Sequence, residues 1–431
     1  MDDQNQISVV PESSWTKTLV FQTVDFEDDP PLDHHGMSWW RSSGHALAIL
    51  LHKAGYSTQS QRRLLRFFRA IVPSLGGTFE SGTPQWKSFM TDDYNPIELS
   101  WDWPKGGKPP KIRFSIEPVG AHAGTLHDPE NMYAASQLLE TLSCLLPSTN
   151  TMLLAHFRQH LIDTLGATGL IGGHSSKEFY AFDLGENGIM SKAYLFPCFR
   201  AQQAGRGTFD LILDAIQTIP NIIQENLQAF EIIRDYVHDP ANSAIMEIEM
   251  VAIDLVDLAE CRFKIYFRIR NTSFESVKHT MTLGSRVTLP GMDEGLNHLR
   301  ELYRSLLDYS QSMTADSVQL PVSDHRTAGI LYNVEFKVGS SAPKVKAYLP
   351  VRHYGKNEEA IISALEKQNL VRIENYRDAL YTLFSRNALS ACSGLHTYIG
   401  CSVEAGGGLR LVSYINPRSS QFAQVPVQTG P

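Results

Sequence analysis

The strongest constraint on the fold is a fivefold recurrence: two strand-like segments joined by a short turn, then a stretch with helical periodicity, then another such pair. The pairs fall at about 95–103 and 111–118, 178–184 and 189–197, 244–254 and 261–269, 328–337 and 344–351, and 395–403 and 409–415. Turn chemistry separates their halves, as in Gly185-Glu186-Asn187-Gly188 and Ala405-Gly406-Gly407-Gly408. The spacing predicts helices over about 38–54, 59–71, 129–145, 151–165, 207–236, 357–385 and within 273–310. An isolated hairpin exposes two edges, whereas ten antiparallel strands can close on themselves and remove them. The expected fold is therefore α/β: a ten-stranded antiparallel barrel surrounded by helices, five helix-helix-strand-strand units in one domain over 38–418. A polar, proline-bearing arm at 1–37 precedes it and a tail at 419–431 follows.

The second strands say where a site lies. In Arg262-Phe263-Lys264-Ile265-Tyr266, alternation puts Arg262, Lys264 and Tyr266 on one face, each roughly 6.5–7 Å from the next, and Phe263 and Ile265 on the other. The pattern recurs, degenerately, as Lys192-Ala193-Tyr194, Lys346-Ala347-Tyr348 and Lys111-Ile112-Arg113-Phe114. The apolar set (Ile112, Phe114, Ala193, Leu195, Phe263, Ile265, Val345, Ala347, Leu349) belongs against helices, which leaves the basic and phenolic set to line the lumen.

Arg113, Lys192, Arg262, Lys264 and Lys346 around one cavity call for an anion, because unpaired charge is costly away from water. A diphosphate suits their spacing, and basic side chains can take the developing charge of a diphosphate leaving group without a metal. Tyr194, Tyr266 and Tyr348, with Tyr398 and Tyr414, offer π faces that attract a carbocation and exclude water from it. Glu98 shares the parity of Ser100 and Asp102 and can accept a hydrogen bond from an acceptor N–H or O–H.

The ordered series Glu-Leu-Ser-Trp (from Glu98), Lys-x-Arg-Phe, Lys-Ala-Tyr, Arg-x-Lys-x-Tyr and Lys-Ala-Tyr resembles the fungal dimethylallyltryptophan synthase family of aromatic prenyltransferases, from Trp39-Trp40 through Tyr414. The resemblance implies a reaction chamber inside the barrel and transfer of an allylic group, usually dimethylallyl, from its diphosphate to an indole-containing or polycyclic aromatic acceptor, with no cofactor and no need for Mg²⁺. It implies Glu98 as the acceptor-binding carboxylate. Arg113, Lys192, Arg262, Lys264 and Lys346 become diphosphate ligands, and Tyr194, Tyr266, Tyr348 and Tyr414 a tyrosine shield. Some members carry glutamine where Lys346 stands and tyrosine where Arg410 stands; tryptophan C4-prenylating members keep a lysine base near Phe179. Those departures favour a larger indole alkaloid, an indole diterpene or another polycyclic aromatic over tryptophan C4 as the point of attack.

The remaining signals are mostly exclusions. A net charge of −8 over 431 residues does not suit a nucleic-acid or anionic-membrane partner. Five scattered cysteines without a CxxC pair signal neither a disulfide framework nor zinc. The polar start and the lack of a long apolar run point to a soluble, cytoplasmic protein, monomer or homodimer. Asp28-Asp29-Pro30-Pro31-Leu32-Asp33 has the wrong spacing, and its prolines the wrong backbone, for a helical Mg²⁺-diphosphate motif. His34-His35 and His122/His127 lack a third ligand at useful spacing. Two other readings use the same residues: a non-catalytic barrel that sequesters an isoprenoid diphosphate or another anionic metabolite, and hydrolysis of the diphosphate. The first gives Glu98 no task; the second conflicts with water exclusion by the tyrosines.

Overall fold

The computed structural model describes residues 18–26, 31–77, 86–162, 173–307 and 315–417. The arm at 1–17 and 27–30, with Asp28 and Asp29, and the tail at 419–431 lie outside them. Ten strands follow in pairs: β1 (Ile97–Trp103), β2 (Lys111–Ile116), β3 (Glu178–Leu184), β4 (Ile189–Leu195), β5 (Met246–Asp254), β6 (Phe263–Ile269), β7 (Ile330–Phe336), β8 (Lys344–Leu349), β9 (His396–Val403) and β10 (Leu409–Ile415). Each pairs antiparallel with its sequence neighbour, and β1 pairs with β10 from Leu99↔Ile415 to Trp103↔Leu411, which closes the barrel. All five hairpin turns sit at one end, here the turn end; the helical connections leave from the other, the base.

The apolar parity faces outward as expected. Ile112, Phe114, Leu195, Phe263, Ile265, Ala347 and Leu349 join one continuous buried layer with the surrounding helices. Helix Thr58–Ile71 shows why the layer forms: the Ser57 side chain caps its first turn by accepting from the Ser60 N–H, and Leu64, Leu65, Phe67, Phe68 and Ile71 form its inward stripe. Phe68 meets Phe114 and Phe67 meets Phe182, each pair with ring centroids 5.2 Å apart. Burying each such ring is worth about 1.5–3 kcal/mol. Between β2 and β3 the ladder runs only from Arg113↔Asp183 to Ile116↔Tyr180. Beyond its end the Tyr56 hydroxyl donates to Leu184 O at 2.6 Å and accepts from Ile112 N at 3.0 Å, bridging the seam. Burial pushes that phenol up to about 12, so it stays a donor.

The structure redraws three helical expectations. Part of the expected arm is helix Leu19–Asp25, with Phe21 stacked on Trp40 at 4.7 Å and Asp25 accepting from the Trp40 indole N–H at 2.8 Å. The segment expected over 207–236 is broken into Thr208–Gln217 and Gln228–His238, because Pro220 lacks an N–H and Asn221 sits at φ 63°. The segment expected over 357–385 is Glu358–Glu366 and Ile373–Leu383, interrupted where Asn369 and Arg372 adopt positive φ.

Candidate active site

The lumen is layered along the barrel axis. At the turn end a cavity of about 320 Å³ is lined by Arg113, Lys192, Arg262, Lys264, Lys346 and Arg410, along with Tyr194, Tyr266, Tyr348 and Tyr414. Each strand contributes by parity, so a basic residue lies one strand step of two from the tyrosine below it. The cations are not bare, contrary to the expectation of a cluster neutralised only by a ligand. Asp102 binds Arg113 at 2.5 Å and Arg410 at 2.8 Å. Asp183 binds Arg113 at 3.0 Å and Lys192 at 2.5 Å, Asp254 binds Arg262 at 2.6 Å, and Glu335 lies 3.3 Å from Lys264. Burial opposes ionisation of Glu335, but Lys264 and Arg262 outweigh it and hold the carboxyl down to about 2. Burial, despite Asp183, pushes Lys192 down to about 7, with Lys264, Arg113 and Arg262 adding to the shift.

Lys346 differs from these. Among the described residues no carboxylate pairs with it; its amine contacts the Tyr414 hydroxyl at 3.0 Å and lies 4.7 Å and 5.2 Å from the ring centroids of Tyr348 and Tyr414. Burial and then Arg113 drive it well below the usual lysine range, against the pull of Asp102. Gly400 makes its position possible: a Cβ there would lie 2.5 Å from Lys346 Cε and 3.2 Å from the Tyr414 ring. The tyrosines form a belt beneath, with centroid separations of 5.8 Å for Tyr194–Tyr266, 5.9 Å for Tyr266–Tyr348 and 5.6 Å for Tyr348–Tyr414. The Asn333 amide donates to the Tyr348 hydroxyl at 2.8 Å and fixes that ring.

Below the belt the lumen is packed by Phe179, Met250, Ala252 and Leu331, with Met90 and Phe196. Phe179 stacks on Tyr194 at 4.2 Å and 14°. Glu98 belongs to this deeper level rather than to the lining of the cavity above it. Thr397 donates to its carboxylate at 2.5 Å. Burial pushes Glu98 up to about 8, opposed by the Thr397 hydrogen bond and the charge of Lys346 and assisted by that of Asp92. At neutral pH Glu98 is therefore held mainly as the acid.

At the base, loops that are distant in sequence converge. Asp92 lies 2.8 Å from Arg352 and 3.5 Å from His353, and Thr327 donates to it at 3.1 Å. Arg326 donates to Phe89 O at 3.1 Å and lies over the Phe89 ring, while Arg268 pairs with Glu249 at 2.6 Å. Ligand atoms of Asp92, His325 and His353 come within 4.8 Å of one another, but the Asp92 carboxylate is already shared with arginines, an electrostatic setting that disfavours a cation.

Parity thus brings the five predicted cations and four predicted tyrosines to one cavity, adds Arg410 to them, and leaves Glu98 deeper. Sequence reasoning missed Asp183, Asp254 and Glu335 as partners of the cations. Their signal was present: Trp101-Asp102-Trp103, Phe182-Asp183-Leu184, Ile253-Asp254-Leu255 and Val334-Glu335-Phe336 all place an acid between apolar residues at the turn end of a first strand.

The profile of the tryptophan dimethylallyltransferase family matches residues 35–369. The chain is 31% identical to a 4-O-dimethylallyl-L-tyrosine synthase of Claviceps purpurea over 91% of its own length and 90% of that protein's. It is equally 31% identical to a 7-dimethylallyltryptophan synthase of Aspergillus fumigatus, over 88% and 84% of the two chains. Among solved structures, AnaPT from Neosartorya fischeri superposes with a TM-score of 0.80 at 23% identity, covering 95% of this chain and 100% of that one. NotF in complex with brevianamide F and DMSPP gives 0.78 at 24%, over 93% and 98%. Among the described residues no helix is long and apolar enough to cross a membrane. With the barrel, the ordered motifs and the length of these matches in agreement, the chain belongs to the tryptophan dimethylallyltransferase family of aromatic prenyltransferases.

Proposed function

We propose that the turn end of the lumen binds the diphosphate of an allylic donor, dimethylallyl in the first instance, through Arg113, Lys192, Arg262, Lys264 and Lys346. The C–O bond then breaks, diphosphate leaves with the electron pair, and the allylic cation sits against Tyr194, Tyr266, Tyr348 and Tyr414. Each ring contributes about 0.5–2 kcal/mol to holding a cation. The acceptor ring lies between this belt and Glu98, which takes a hydrogen bond from the ring N–H or O–H. A new bond forms from the acceptor to the allylic carbon, and the proton that the acceptor gives up passes to the released diphosphate, the base that the reaction itself supplies.

The observation that carries the reading is the convergence of six basic side chains and four tyrosines on one cavity of about 320 Å³. Fixed basic groups supply the charge stabilisation for which other enzymes use Mg²⁺, so the reaction proceeds without a metal. The names of the relatives at 31% identity support a phenol or indole ring as the acceptor. Diphosphate binding also favours the charged form of Lys346, because an anion offsets the cost that burial imposes on its ammonium.

The test is mass spectrometry of purified protein with dimethylallyl diphosphate, phenol and indole acceptors, and EDTA. A mass gain of one prenyl unit in EDTA is expected. Strict dependence on added Mg²⁺ would overturn the metal-free mechanism, and donor binding with no product from any acceptor would favour a sequestering barrel.

A further inference from the structure

Glu98 meets Thr397 at a place where the regular pairing of the barrel breaks. From Leu409↔Val403 to Ser413↔Ile399, β10 and β9 pair residue for residue, but the next pair is Ile415↔His396. Two residues of β9, Thr397 and Tyr398, therefore oppose the single residue Tyr414 of β10, which makes a β-bulge. The bulge breaks the alternation of side chains. Ile399 belongs to the outer apolar layer, and Tyr398 points inward, its ring 6.1 Å from that of Tyr348. A regular strand would then send Thr397 outward, yet its hydroxyl donates to Glu98 at 2.5 Å.

The bulge is held from outside the barrel by a buried polar network that the proposed chemistry does not use. Beside the bulge, His396 faces helices Glu358–Glu366 and Ile373–Leu383. Glu358 accepts three hydrogen bonds there: from Leu395 N at 2.9 Å, from His396 N at 3.2 Å and from Nδ1 of His396. On the other side of the imidazole, Nε2 meets the Tyr376 hydroxyl at 2.6 Å, and that hydroxyl meets Ser413 Oγ of β10 at 2.6 Å. All four residues are wholly buried. With no water to replace these partners, the network ties His396 to Ser413 across the irregular stretch and fixes the register shift between them.

We propose that Glu358, His396, Tyr376 and Ser413 form a positioning device for the acceptor carboxylate, clamping the β9 bulge from behind so that the Thr397 hydroxyl stays on Glu98. His396 is the positioning residue, and it acts through Thr397 from the far side of the barrel wall. The inference rests on the reading of Glu98 as the group that binds the acceptor, and adds to it that the protonation of Glu98 is set from outside the lumen. The Thr397 hydrogen bond favours the charged form of Glu98, and Lys346 on β8 acts in the same direction. Burial and Asp92, from the loop before β1, act against them, and on β10 the Tyr414 phenol feels the Glu98 charge. Withdrawing Thr397 leaves burial less opposed, so Glu98 keeps its proton to higher pH.

The experiment follows the infrared carbonyl band of protonated Glu98 against pH in the whole protein without substrates, with Glu98→Gln to assign the band, and then acceptor kcat/KM against pH. Thr397→Val is expected to raise the Glu98 midpoint by about one pH unit, the worth of a hydrogen bond to a charged group. His396→Ala is expected to raise it as far, and to lower acceptor kcat/KM at pH 7 about tenfold with donor KM held. His396→Asn, whose amide nitrogen can take the place of Nδ1 against Glu358, should recover part of the shift. Adding His396→Ala to Thr397→Val should move the midpoint no further, because both act through one contact. Should His396→Ala fail to fold, Tyr376→Phe replaces it, since the ring keeps its packing on Trp101 and Trp103; an upward shift that vanishes in the Thr397→Val background is expected. A midpoint left unchanged or lowered by these substitutions in folded protein overturns the inference. The expected shifts together with full transfer by Glu98→Ala uphold the device and remove Glu98 from acceptor binding. Unshifted titrations with an inactive Glu98→Ala overturn the device and leave that role standing.

Discussion

At the turn end, five basic side chains share four carboxylates on or beside hydrogen-bonded neighbouring strands; at the base, Arg268 pairs with Glu249 across the β5–β6 hairpin, while Arg326 and Arg352 share Asp92 from segments far apart in the sequence. The first network is regular because strand register sets it: Arg113 faces Asp183 and Lys264 faces Glu335 as Cα partners. The second is irregular and, among the described residues, leaves buried Nη1 of Arg352 and Oε2 of Glu249 without partners. The contrast separates pairs whose facing is fixed by strand register from pairs whose meeting depends on how separate segments fold over the base.

The largest effect should come from breaking the turn-end network. Asp183→Asn leaves Arg113 and Lys192 short of a partner and is expected to cost about 3–5 kcal/mol of stability in the empty protein. Donor diphosphate should recover more of the melting temperature in this variant than in the wild type; thermal denaturation with and without donor measures both. An equal donor-induced shift would break the idea that carboxylate and diphosphate compete for the same cations.

Next comes the junction between the two levels. Glu98→Ala should lower kcat about 100-fold with donor KM held, since a positioned hydrogen-bonding group typically contributes 10²–10⁴. Steady-state kinetics decides, and full activity in this variant would remove Glu98 from the mechanism.

A smaller, signed effect follows from its protonation. With Glu98 at about 8, acceptor kcat/KM should rise roughly tenfold from pH 7 to pH 9 where the ionised form is required. Stability runs the other way: a folded value raised from 4.5 means a contribution that is present below about 4.5 and lost as pH rises through about 8. Glu98→Gln should flatten both slopes. A rate profile that stays unchanged in that variant would remove Glu98 as the group that titrates.

The smallest effect tests the one lumen cation without a described carboxylate partner. Gly400→Ala places a methyl where the Lys346 stem runs and should displace the flexible amine rather than the backbone. An off-rotamer lysine costs about 0.5–1.5 kcal/mol, so donor KM should rise about fivefold with little change in melting temperature.

How much of this was legible in the sequence follows from periodicity. Arg262, Lys264 and Tyr266 could be assigned to one face because a strand repeats every two residues, and the same rule separated Phe263 and Ile265 to the other. The acids were equally periodic, yet a lone Asp254 or Glu335 looks like an ordinary solvated residue until its cross-strand partner is known. Asp92, Arg326 and Arg352 had no sequence signal, since their meeting depends on how loops before β1, before β7 and after β8 fold over the base. The breaks after Gln217 and Glu366 were hidden because apolar spacing continues across Pro220 and Asn369 while the backbone does not.

The pairing of β1 with β10 carries a consequence for how the protein comes to exist. Leu99 and Ile415 are hydrogen-bonded neighbours although more than 300 residues separate them, so closure must await nearly the whole chain. Until then both terminal strands are open edges, ready to pair with another copy, and contacts so distant in sequence form slowly. During synthesis the catalytic chamber has no partial version: its wall is the last contact to be made, and a chain halted before Leu409 is an aggregation hazard rather than a weakened enzyme.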